Sequence, residues 1–413
     1  MSQQTIAVVG AGVVGASVGL FLQRDGHRVI LLDRSGPAAG ASFGNAGAIV
    51  NGSCAPTAMP GIVGDVVRMM LQPLPPLSIR PAYFPKILPW LLRFVAASRR
   101  SRVNRIAGDL HALTAGAVVA WRELAAETPL DRLLATGGWL KVYESNRGFA
   151  ATATARELLD AVGTPYELLE AGDIQDLEPH LAPIYTHGIW QKDGLRIVNP
   201  GRLVSEMVDL LVAGGGSFLP GEVLGIEPAE ALVTVRLADR TLTADRVVVA
   251  AGAWSRPLAA LLGDRVPLDT ERGYHMMLPA GTESLLGRPV LNAAHSFVLS
   301  PMETGLRMTS QVELAGVDAP PDYRRIRSLL PEARRMLPAV QATEASVWMG
   351  CRPSLPDSLP VIGCSTRSPN VLYAFGHQHL GMTLGPVTGK LISDLVAGRT
   401  PSLDLAPYRP DRW

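Results

Sequence analysis

The chain has 413 residues and a net charge of +1 at pH 7; 47% of its residues are hydrophobic and 18% are charged. This length accommodates two domains with a large interior, and the small net charge argues against a nucleic-acid-binding protein. Its three cysteines have no C-x-x-C spacing, which excludes a disulfide framework and disfavours a cysteine-based metal site.

The first predicted element is a buried strand, residues 5–9, followed directly by glycines at positions 10, 12 and 15. This spacing is the dinucleotide fingerprint: Gly10 permits a tight turn, Gly12 lets the backbone approach a pyrophosphate, and Gly15 lets the next helix pack against the strand. A helix and a second strand follow and end at Asp33, 18 residues after Gly15, where a carboxylate binds a ribose hydroxyl. We therefore predict one dinucleotide, with its pyrophosphate at the helix N-terminus.

A loop of small residues, 40–47, comes next and is suited to pressing backbone N–H groups against a ligand. Its first five residues also match the nucleophile elbow of serine hydrolases, with Ser42 as the nucleophile. That elbow needs a strand before it, whereas residues 35–39 have the composition of a loop, so a hydrolase is the weaker interpretation.

The remaining pattern alternates between helical and strand periodicity. Helices are predicted around 62–72, 103–127, 148–162, 202–213, 322–337 and 386–397, and strands at 137–143, 222–226, 232–237, 245–249 and 371–375. Strand 245–249 runs into small residues, 250–255, as at the edge of a cofactor. No second glycine fingerprint is present, so one dinucleotide is expected.

Residues 66–108 contain eight basic residues and no acidic one, with apolar and aromatic residues at 83–95 among them. Such a composition suits a membrane interface, with aromatic rings among the headgroups and arginines on anionic lipid. The alternative is a loop and helix that cover a substrate cavity and leave the arginines solvated. The sequence has neither a cleavable leader pattern nor an apolar run of about 18 residues, so we expect a cytoplasmic protein, with peripheral membrane contact through 80–105 left open.

These blocks together resemble the flavin amine oxidoreductases of the D-amino acid oxidase and glycine oxidase superfamily, most closely the bacterial D-amino acid dehydrogenases. The resemblance covers nearly the whole chain. It rests on the order and spacing of residues 10–15 with Asp33 and Arg34, 41–47, Val223, 250–254, 350–353 with Asp357 and 360–363, and 376–381.

The resemblance implies an α/β fold in which a Rossmann-type FAD-binding domain is interwoven with a substrate domain. The substrate domain is expected to be built on a mixed, largely antiparallel sheet plus helices. We expect the FAD-binding domain to comprise 1–60, 196–267 and 346–413, and the substrate domain 61–195 and 268–345.

The resemblance also implies FAD rather than NAD. It places Asp33 and Arg34 at the adenosine ribose, the backbone of Val223 at adenine, and residues 376–383 beside the isoalloxazine ring. The candidate cofactor-binding residues are Gly10, Gly12, Val13, Val14, Gly15, Asp33, Arg34, Ala41, Ser42, Asn45, Ala46, Gly47, Val223, Ala251, Gly252, Trp254, Arg352, Gly376, His377, His379, Leu380, Gly381, Met382 and Thr383.

Two features of these blocks bear on how the cofactor is held. Cys351 suggests a covalent flavin, but the attachment position of sarcosine oxidases aligns with Gly350, so noncovalent FAD is expected. His377 and His379 form an H-x-H pair without a further ligand cluster, so no metal is predicted.

In the family, an arginine at the position of Arg352 binds the substrate carboxylate, and the rigid guanidinium fork suits that role. We place Arg352 in a Gly-Cys-Arg-Pro turn between two strands, with Arg272 and Arg307 as alternatives. Three aromatic residues are further candidates for the catalytic pocket, or else belong to the core: Tyr274, His275 and Phe297.

The implied activity is oxidative deamination of D-amino acids by hydride transfer from Cα to flavin N5, which gives an imino acid or 2-oxo acid. Cyclic imino acids such as D-proline and hydroxy-D-proline, and N-methyl amino acids, are alternative substrates. Segment 80–105 favours a quinone or another non-oxygen acceptor and a position on the inner face of the membrane. A non-enzymatic flavin-binding sensor is a further alternative, in which Arg352 would have no evident purpose.

Overall fold

The computed structural model describes residues 3–64, 75–340 and 343–413, which form four β-sheets with helices packed against them. The predicted helix 62–72 lies largely outside the described residues. In the described part of the chain, no helix has the length and apolar character needed to cross a membrane.

The first sheet has six strands and contains the glycine fingerprint. In spatial order its strands are β10 (Ser217–Pro220), β2 (Arg28–Asp33), β1 (Thr5–Val9), β14 (Arg246–Val249), β21 (Val371–Phe375) and β20 (Val361–Cys364). All neighbours pair in parallel except β20, which is antiparallel to β21. Ile6 and Val8 enter one hydrophobic core while Ala7 and Val9 enter another, so both faces of the sheet are buried, as parallel sheets require.

The second sheet is larger. In spatial order its strands are β19 (Ser346–Ser354), β15 (Asp269–Met277), β18 (Gly305–Leu314), β17 (Phe297–Met302), β16 (Val290–Asn292), β6 (Trp139–Tyr143), β8 (His187–Gln191) and β7 (Glu167–Glu170), and β4 (Leu77–Ile79) pairs with β18. Among the described strands of this second sheet, only the β6–β16 and β4–β18 pairs are parallel. The predicted α/β class with a mixed, largely antiparallel second sheet is therefore confirmed.

Two three-stranded sheets complete the strand structure. One has the order β11 (Val223–Pro228), β12 (Val233–Leu237), β13 (Thr241–Ala244), and the other β3 (Ala48–Ile49), β9 (Leu195–Ile197), β5 (Leu134–Thr136). The predicted domain division remains a prediction. Strand β19, which we assigned to the FAD-binding part, pairs with β15 in the large sheet.

The described α-helices are α1 (Val13–Arg24), α2 (Phe84–Ala97), α3 (Arg100–Thr114), α4 (Ala117–Ala125), α5 (Asn146–Ala150), α6 (Ala153–Ala161), α7 (Ala171–Leu177), α8 (Pro200–Ala213), α9 (Ser255–Leu261), α10 (Arg324–Arg327), α11 (Leu330–Met336) and α12 (Gly381–Val396). Helices α1 and α12 approach each other closely because α12 has a glycine at the contact. A Cβ on Gly389 would lie 2.9 Å from the backbone oxygen of Ser17.

Four predicted helices have different bounds in the structure. The helix predicted at 103–127 is interrupted after Thr114, next to Gly116, a residue with low helix propensity. The helices predicted at 148–162 and near 322–337 are likewise pairs of short helices. The last helix begins at Gly381 rather than at Pro386, because this proline lies within the helix instead of at its first position.

Candidate cofactor and substrate site

A cavity of about 380 Å³ lies at the carboxyl ends of β1, β2 and β14, and we name it the strand-end cavity. Val9 at the end of β1 pairs with Val249 at the end of β14, so the segments that follow both strands meet at one edge. Ligands bind at this edge in open parallel sheets. The predicted cofactor-binding residues that line the cavity are Gly10, Gly12, Val13, Val14, Asp33, Arg34, Ala41, Ser42, Asn45, Val223, Ala251, Gly252, Trp254, His377, Gly381 and Met382.

The three glycines of the fingerprint have different structural roles. Gly10 has φ +111°, and a Cβ there would lie 2.3 Å from the carbonyl oxygen of Ala250. A Cβ on Gly15 would lie 1.8 Å from the carbonyl oxygen of Gly10, so this residue is required for the packing of α1 on β1. At Gly12 a Cβ would meet only Ser42 Oγ, at 3.3 Å, so the protein excludes a side chain here less strictly than at Gly10 and Gly15.

The carboxylate of Asp33 is held in place by the backbone around it. One oxygen accepts a hydrogen bond from the N–H of Ala11 (2.8 Å), and the other accepts from Ser35 (2.8 Å) and Gly36 (3.1 Å). A carboxylate has about four acceptor positions in total. Asp33 therefore keeps acceptor capacity for a hydroxyl group in the cavity.

The chemistry of the strand-end cavity fits a dinucleotide. The N-terminus of α1 points into it without an acidic side chain in its first turn, and Ser42 Oγ accepts a hydrogen bond from the N–H of Val13 (3.0 Å). An uncompensated helix N-terminus favours a diphosphate. At the other end, the Arg34 guanidinium lies 4.2 Å from the ring centroid of Trp254, next to Val223.

A second cavity, of about 430 Å³, lies between the large sheet, residues 41–57 and residues 378–383, and we name it the sheet cavity. Ala41, Asn45 and Gln378 line both cavities, so the two adjoin. Other predicted site residues that line the sheet cavity are Ala46, Tyr274, Arg352, His379, Leu380 and Thr383.

Arg352 lies within strand β19, two residues before its end, so our prediction that it occupies a turn is wrong. Gly350 and Pro353 are residues typical of turns, which is why a turn was predicted. However, β19 is the terminal strand of the sheet order, where a proline without an N–H is tolerated. A Cβ on Gly273 would lie 2.2 Å from Arg352 Nη2, so the guanidinium rests directly on the glycine backbone. Its Nη1 donates to the carbonyl oxygen of Gln311 (3.2 Å), which directs the group across the sheet.

Two charged residues of the sheet cavity, Glu271 and Lys141, were missed by the sequence reasoning. Glu271 is the register partner of Arg352, and burial raises the pKa of its carboxyl while Arg352 lowers it. Burial also lowers the pKa of the Lys141 ammonium. The alternation of side chains along β6 was the signal available for Lys141. Leu140 and Val142 on either side of it are buried in the core on one face of the sheet, so Lys141 lies on the other face.

Both predicted histidines line the site as neutral rings near pH 7. Burial lowers the pKa of His377 to about 3, and its Nε2 lies 2.9 Å from Thr388 Oγ1. Burial, with smaller contributions from Arg352 and Lys141, lowers the pKa of His379 to about 4. Among the described residues, no group of three or more His, Cys, Asp or Glu side chains is arranged to hold a metal ion.

The three aromatic candidates are placed differently from one another. Tyr274 borders the sheet cavity, yet its hydroxyl donates to Glu313 Oε2 (2.6 Å) and accepts from the N–H of Asp322. His275 does not line either cavity and stacks on Trp348 with ring centroids 5.2 Å apart. Phe297 is fully buried in the core and also lines neither.

The alternative arginines do not line either cavity, and both are held by structural partners. Arg272 is fully buried and its Nη1 lies 3.4 Å from Glu313 Oε2. Arg307 Nη1 donates to the carbonyl oxygens of Phe43 (2.9 Å) and Asn45 (2.8 Å), which fixes the loop between the two cavities. Three predicted glycines line neither cavity: Gly15, Gly47 and Gly376.

Comparison with known proteins gives consistent results. The model of the DAO family, FAD dependent oxidoreductase, matches residues 5–395. D-amino-acid oxidase of Bradyrhizobium diazoefficiens is 34% identical over 99% of this chain and 98% of its own. D-amino acid dehydrogenase 2 of Ralstonia nicotianae is 33% identical over 98% and 99%. The solved glycine oxidase of Geobacillus kaustophilus covers 100% of both chains with a TM-score of 0.75 at 23% identity, and therefore shares the fold.

Proposed function

The chain belongs to the family of FAD-dependent oxidoreductases, and from this premise we propose that it oxidises D-amino acids held in the sheet cavity. The observation that carries the proposal is the Arg352 guanidinium, which lines the sheet cavity beside the strand-end cavity. The names of the two relatives, D-amino-acid oxidase and D-amino acid dehydrogenase, support this substrate class.

We propose that FAD is bound noncovalently along the strand-end cavity, as the chemistry of that cavity suits a dinucleotide. When bound, FAD supplies the acceptor for two electrons, and this chemistry belongs to the cofactor. The protein contributes position and charge. Asp33 binds a ribose hydroxyl, the N-terminus of α1 binds the diphosphate, and the loop fixed by Arg307 separates the two cavities.

Arg352 binds the substrate carboxylate in this proposal. Its guanidinium has one hydrogen bond to Gln311 and otherwise faces the cavity, which leaves N–H donors for a bidentate contact. A carboxylate fixed in this way orients the Cα–H bond, and orientation is a large part of catalysis in a reaction between two bound groups.

Glu271 accepts a proton from the substrate ammonium in this proposal. Directly opposed residues of an antiparallel pair have side chains on the same face of the sheet, at roughly 5 Å between Cβ atoms. Glu271 and Arg352 therefore place a carboxylate and a guanidinium side by side. These two groups are complementary to the adjacent ammonium and carboxylate of an amino acid. The amine must lose a proton before the Cα–H bond is oxidised, and a carboxyl whose pKa is raised by burial is the better acceptor.

Several substrates satisfy this arrangement. D-proline, hydroxy-D-proline and N-methyl amino acids also carry a carboxylate next to a basic nitrogen, and they are the alternatives to primary D-amino acids. A quinone or another non-oxygen acceptor is proposed for the electrons. This is supported by the apolar and basic surface of residues 80–105 and by the dehydrogenase name of one relative. Stoichiometric hydrogen peroxide in air would contradict this acceptor.

The test is anaerobic mixing of the FAD-loaded protein with amino and imino acids of both hands, followed at the flavin absorption band. We expect D-amino acids to bleach the band. The variant Arg352→Ala should retain its FAD but require roughly 100-fold more substrate for the same bleaching, because a buried charge pair is lost. Bleaching by L-amino acids alone, or an unchanged substrate dependence in the variant, would refute the proposal.

A further inference from the structure

Helix α2 exposes an apolar stripe. The side chains of Phe84, Leu88, Leu92 and Val95 have relative exposures of 46%, 40%, 64% and 42%. At about 100° per residue, these four positions fall within an arc of roughly 80° on the helix. Large apolar side chains are therefore presented to the surroundings as one continuous strip rather than singly.

The opposite face of α2 fixes the helix to the protein. Ile87 and Trp90 are buried against Leu314 of β18, and Trp90 stacks on Phe94 with ring centroids 5.1 Å apart. Trp90 Nε1 also donates to the carbonyl oxygen of Ser354 (3.3 Å), in the strand that holds Arg352. The exposed stripe thus contributes nothing to this anchoring and is available for another contact.

Basic side chains lie on one side of the stripe and beyond its C-terminal end. Lys86 and Arg93 are exposed and lie roughly 100–120° further around the same helix. Arg99, Arg102 and Arg105 are exposed at and beyond the end of α2, and no acidic residue occurs between positions 66 and 108. Arg100 in the same run is paired with Glu157, and the surface beside the strip is otherwise predominantly basic. An apolar strip beside a predominantly basic surface is the pattern of helices that lie in the interface of an anionic membrane.

We propose that α2 is a membrane-docking helix that lies flat on an anionic lipid bilayer. In this arrangement, Phe84, Leu88, Leu92 and Val95 enter the acyl boundary, while Lys86 and Arg93 reach the phosphates of the headgroups. The partner is the lipid surface, whose negative charge complements the basic residues. This inference goes beyond the proposed reaction and does not depend on turnover.

A second copy of the chain is a poorer occupant for two reasons. Pairing two α2 stripes would bring the like-charged Lys86 and Arg93 of both copies together. The stripe is also small, because a helix of 14 residues is about 21 Å long and 10–12 Å across, so one face covers roughly 200 Å². A stable dimer buries about 800 Å² on each partner.

The docking helix is attached to the strands that carry the proposed substrate-binding residues. Just before α2, the Tyr83 hydroxyl donates to Asp269 Oδ1 (2.9 Å) at the start of β15. Trp90 is bonded to Ser354 at the end of β19. Docking through α2 would therefore hold the Glu271 and Arg352 strands directly behind the lipid surface, as suits an acceptor dissolved in the membrane.

The experiment is sedimentation of the FAD-loaded protein with vesicles of phosphatidylcholine alone or with phosphatidylglycerol added. We expect binding to the anionic vesicles, weakened by salt, and little binding to the neutral ones. The double variant Leu88→Ser, Leu92→Ser should reduce the bound fraction at least tenfold. The matched control is Leu168→Ser, which removes a 52% exposed leucine from β7, far along the sheet order from β19, and should bind as the wild type.

Retained flavin absorbance and unchanged turnover with a soluble dye establish that the double variant is folded. The proposal is overturned if the wild type stays in the supernatant with anionic vesicles, or if the double variant sediments as the wild type does. A wild-type dimer that dissociates in the double variant also overturns it, because the stripe is then a contact between copies. Turnover with dye is measured separately, so failure to bind lipid is distinguishable from failure of the proposed reaction.

Discussion

Glu271 and Arg352 are opposed across the β15–β19 pair, and this pairing makes a pH dependence predictable. Burial raises the pKa of Glu271 above its ordinary value, and Arg352 partly offsets the effect. Glu271 accepts a proton only when ionised, so kcat/KM should fall as the pH drops through this raised pKa. Arg352 stays charged and His379, with a pKa of about 4, stays neutral in this range, while Lys141, whose pKa is lowered by burial, is a further titratable group of the cavity.

The variant Glu271→Gln should lower kcat/KM roughly 100-fold near pH 7, the lower range for loss of a general base. The deficit should shrink at alkaline pH, where the substrate amine is already neutral in solution. Stopped-flow flavin reduction between pH 5 and 10 measures both effects, with the exposed Glu227→Gln as the control. A deficit that is constant across the whole pH range would assign Glu271 a purely structural role.

Gly273 determines where the Arg352 guanidinium lies. Alanine at this position would place a Cβ 2.2 Å from Nη2, and the flexible end of the arginine side chain can move aside. We therefore expect Gly273→Ala to raise the substrate KM about tenfold or more while the thermal midpoint changes little. Gly108→Ala is the matched control, because a Cβ there meets nothing within 4 Å in an exposed helical position and should stabilise slightly. An unchanged KM in Gly273→Ala would separate Arg352 from substrate binding.

At the scale of elements, the turn between β1 and α1 separates glycines needed for folding from a glycine needed for the ligand. Gly15→Ala would force a Cβ to within 1.8 Å of the Gly10 carbonyl oxygen, and we expect severe destabilisation or insoluble protein. Gly12→Ala meets only Ser42 Oγ at 3.3 Å, so the fold should persist while FAD affinity falls at least tenfold. Circular dichroism and FAD titration of the apoproteins measure the two outcomes. Equal FAD affinity in Gly12→Ala and wild type would place the diphosphate elsewhere.

How far the sequence predicts an element depends on whether its cause is local. The β1 to α1 turn was predictable because Gly10 and Gly15 are required by contacts within a few residues or with the neighbouring strand end. Strand β19 was not, because Gly350 there makes room for Trp348 of the same strand. A Cβ on Gly350 would lie 2.0 Å from Trp348 Cη2. A sequence does not distinguish a glycine required by packing from a glycine required by a turn.

The candidate site shows the same limit. Asp33 was identified from its distance to the glycine fingerprint, and in the structure it lines the strand-end cavity. Glu271 became a candidate only once β15 and β19 were paired, since 81 residues separate it from Arg352 in the chain. Long-range register of this kind follows from the packing of the whole sheet.

At the scale of the whole molecule, the two cavities adjoin at the loop 41–47. This loop follows the parallel sheet, packs against the large sheet and contributes residues to both cavities. Arg307 from β18 binds two carbonyl oxygens of this loop, and Trp348 from β19 lies against Gly44, where a Cβ would be 1.9 Å from the indole. Contacts between the two sheets therefore build the proposed site, and neither sheet alone contains it. Stability of the assembled molecule and integrity of the site should consequently change together.

Buried histidines in the assembled molecule predict a loss of stability in mild acid. His275 and His377 are buried with pKa values of about 3, against an ordinary value near 6.5. Near pH 7 both are neutral in the folded and the unfolded chain. As the pH falls below about 6.5, the unfolded chain binds protons that the folded protein cannot, so the free energy of unfolding decreases until the pH approaches 3.

Each histidine contributes up to about 1.4 kcal/mol per pH unit in this window, so the thermal midpoint should fall by several degrees between pH 7 and pH 5. The variant His377→Gln, measured with FAD bound, should show a shallower fall, because one of the histidines that binds a proton only in the unfolded chain is gone. The variant His180→Gln, at an exposed position, is the matched control. Identical slopes in wild type and His377→Gln would show that the acid sensitivity has another origin, such as the buried carboxyls.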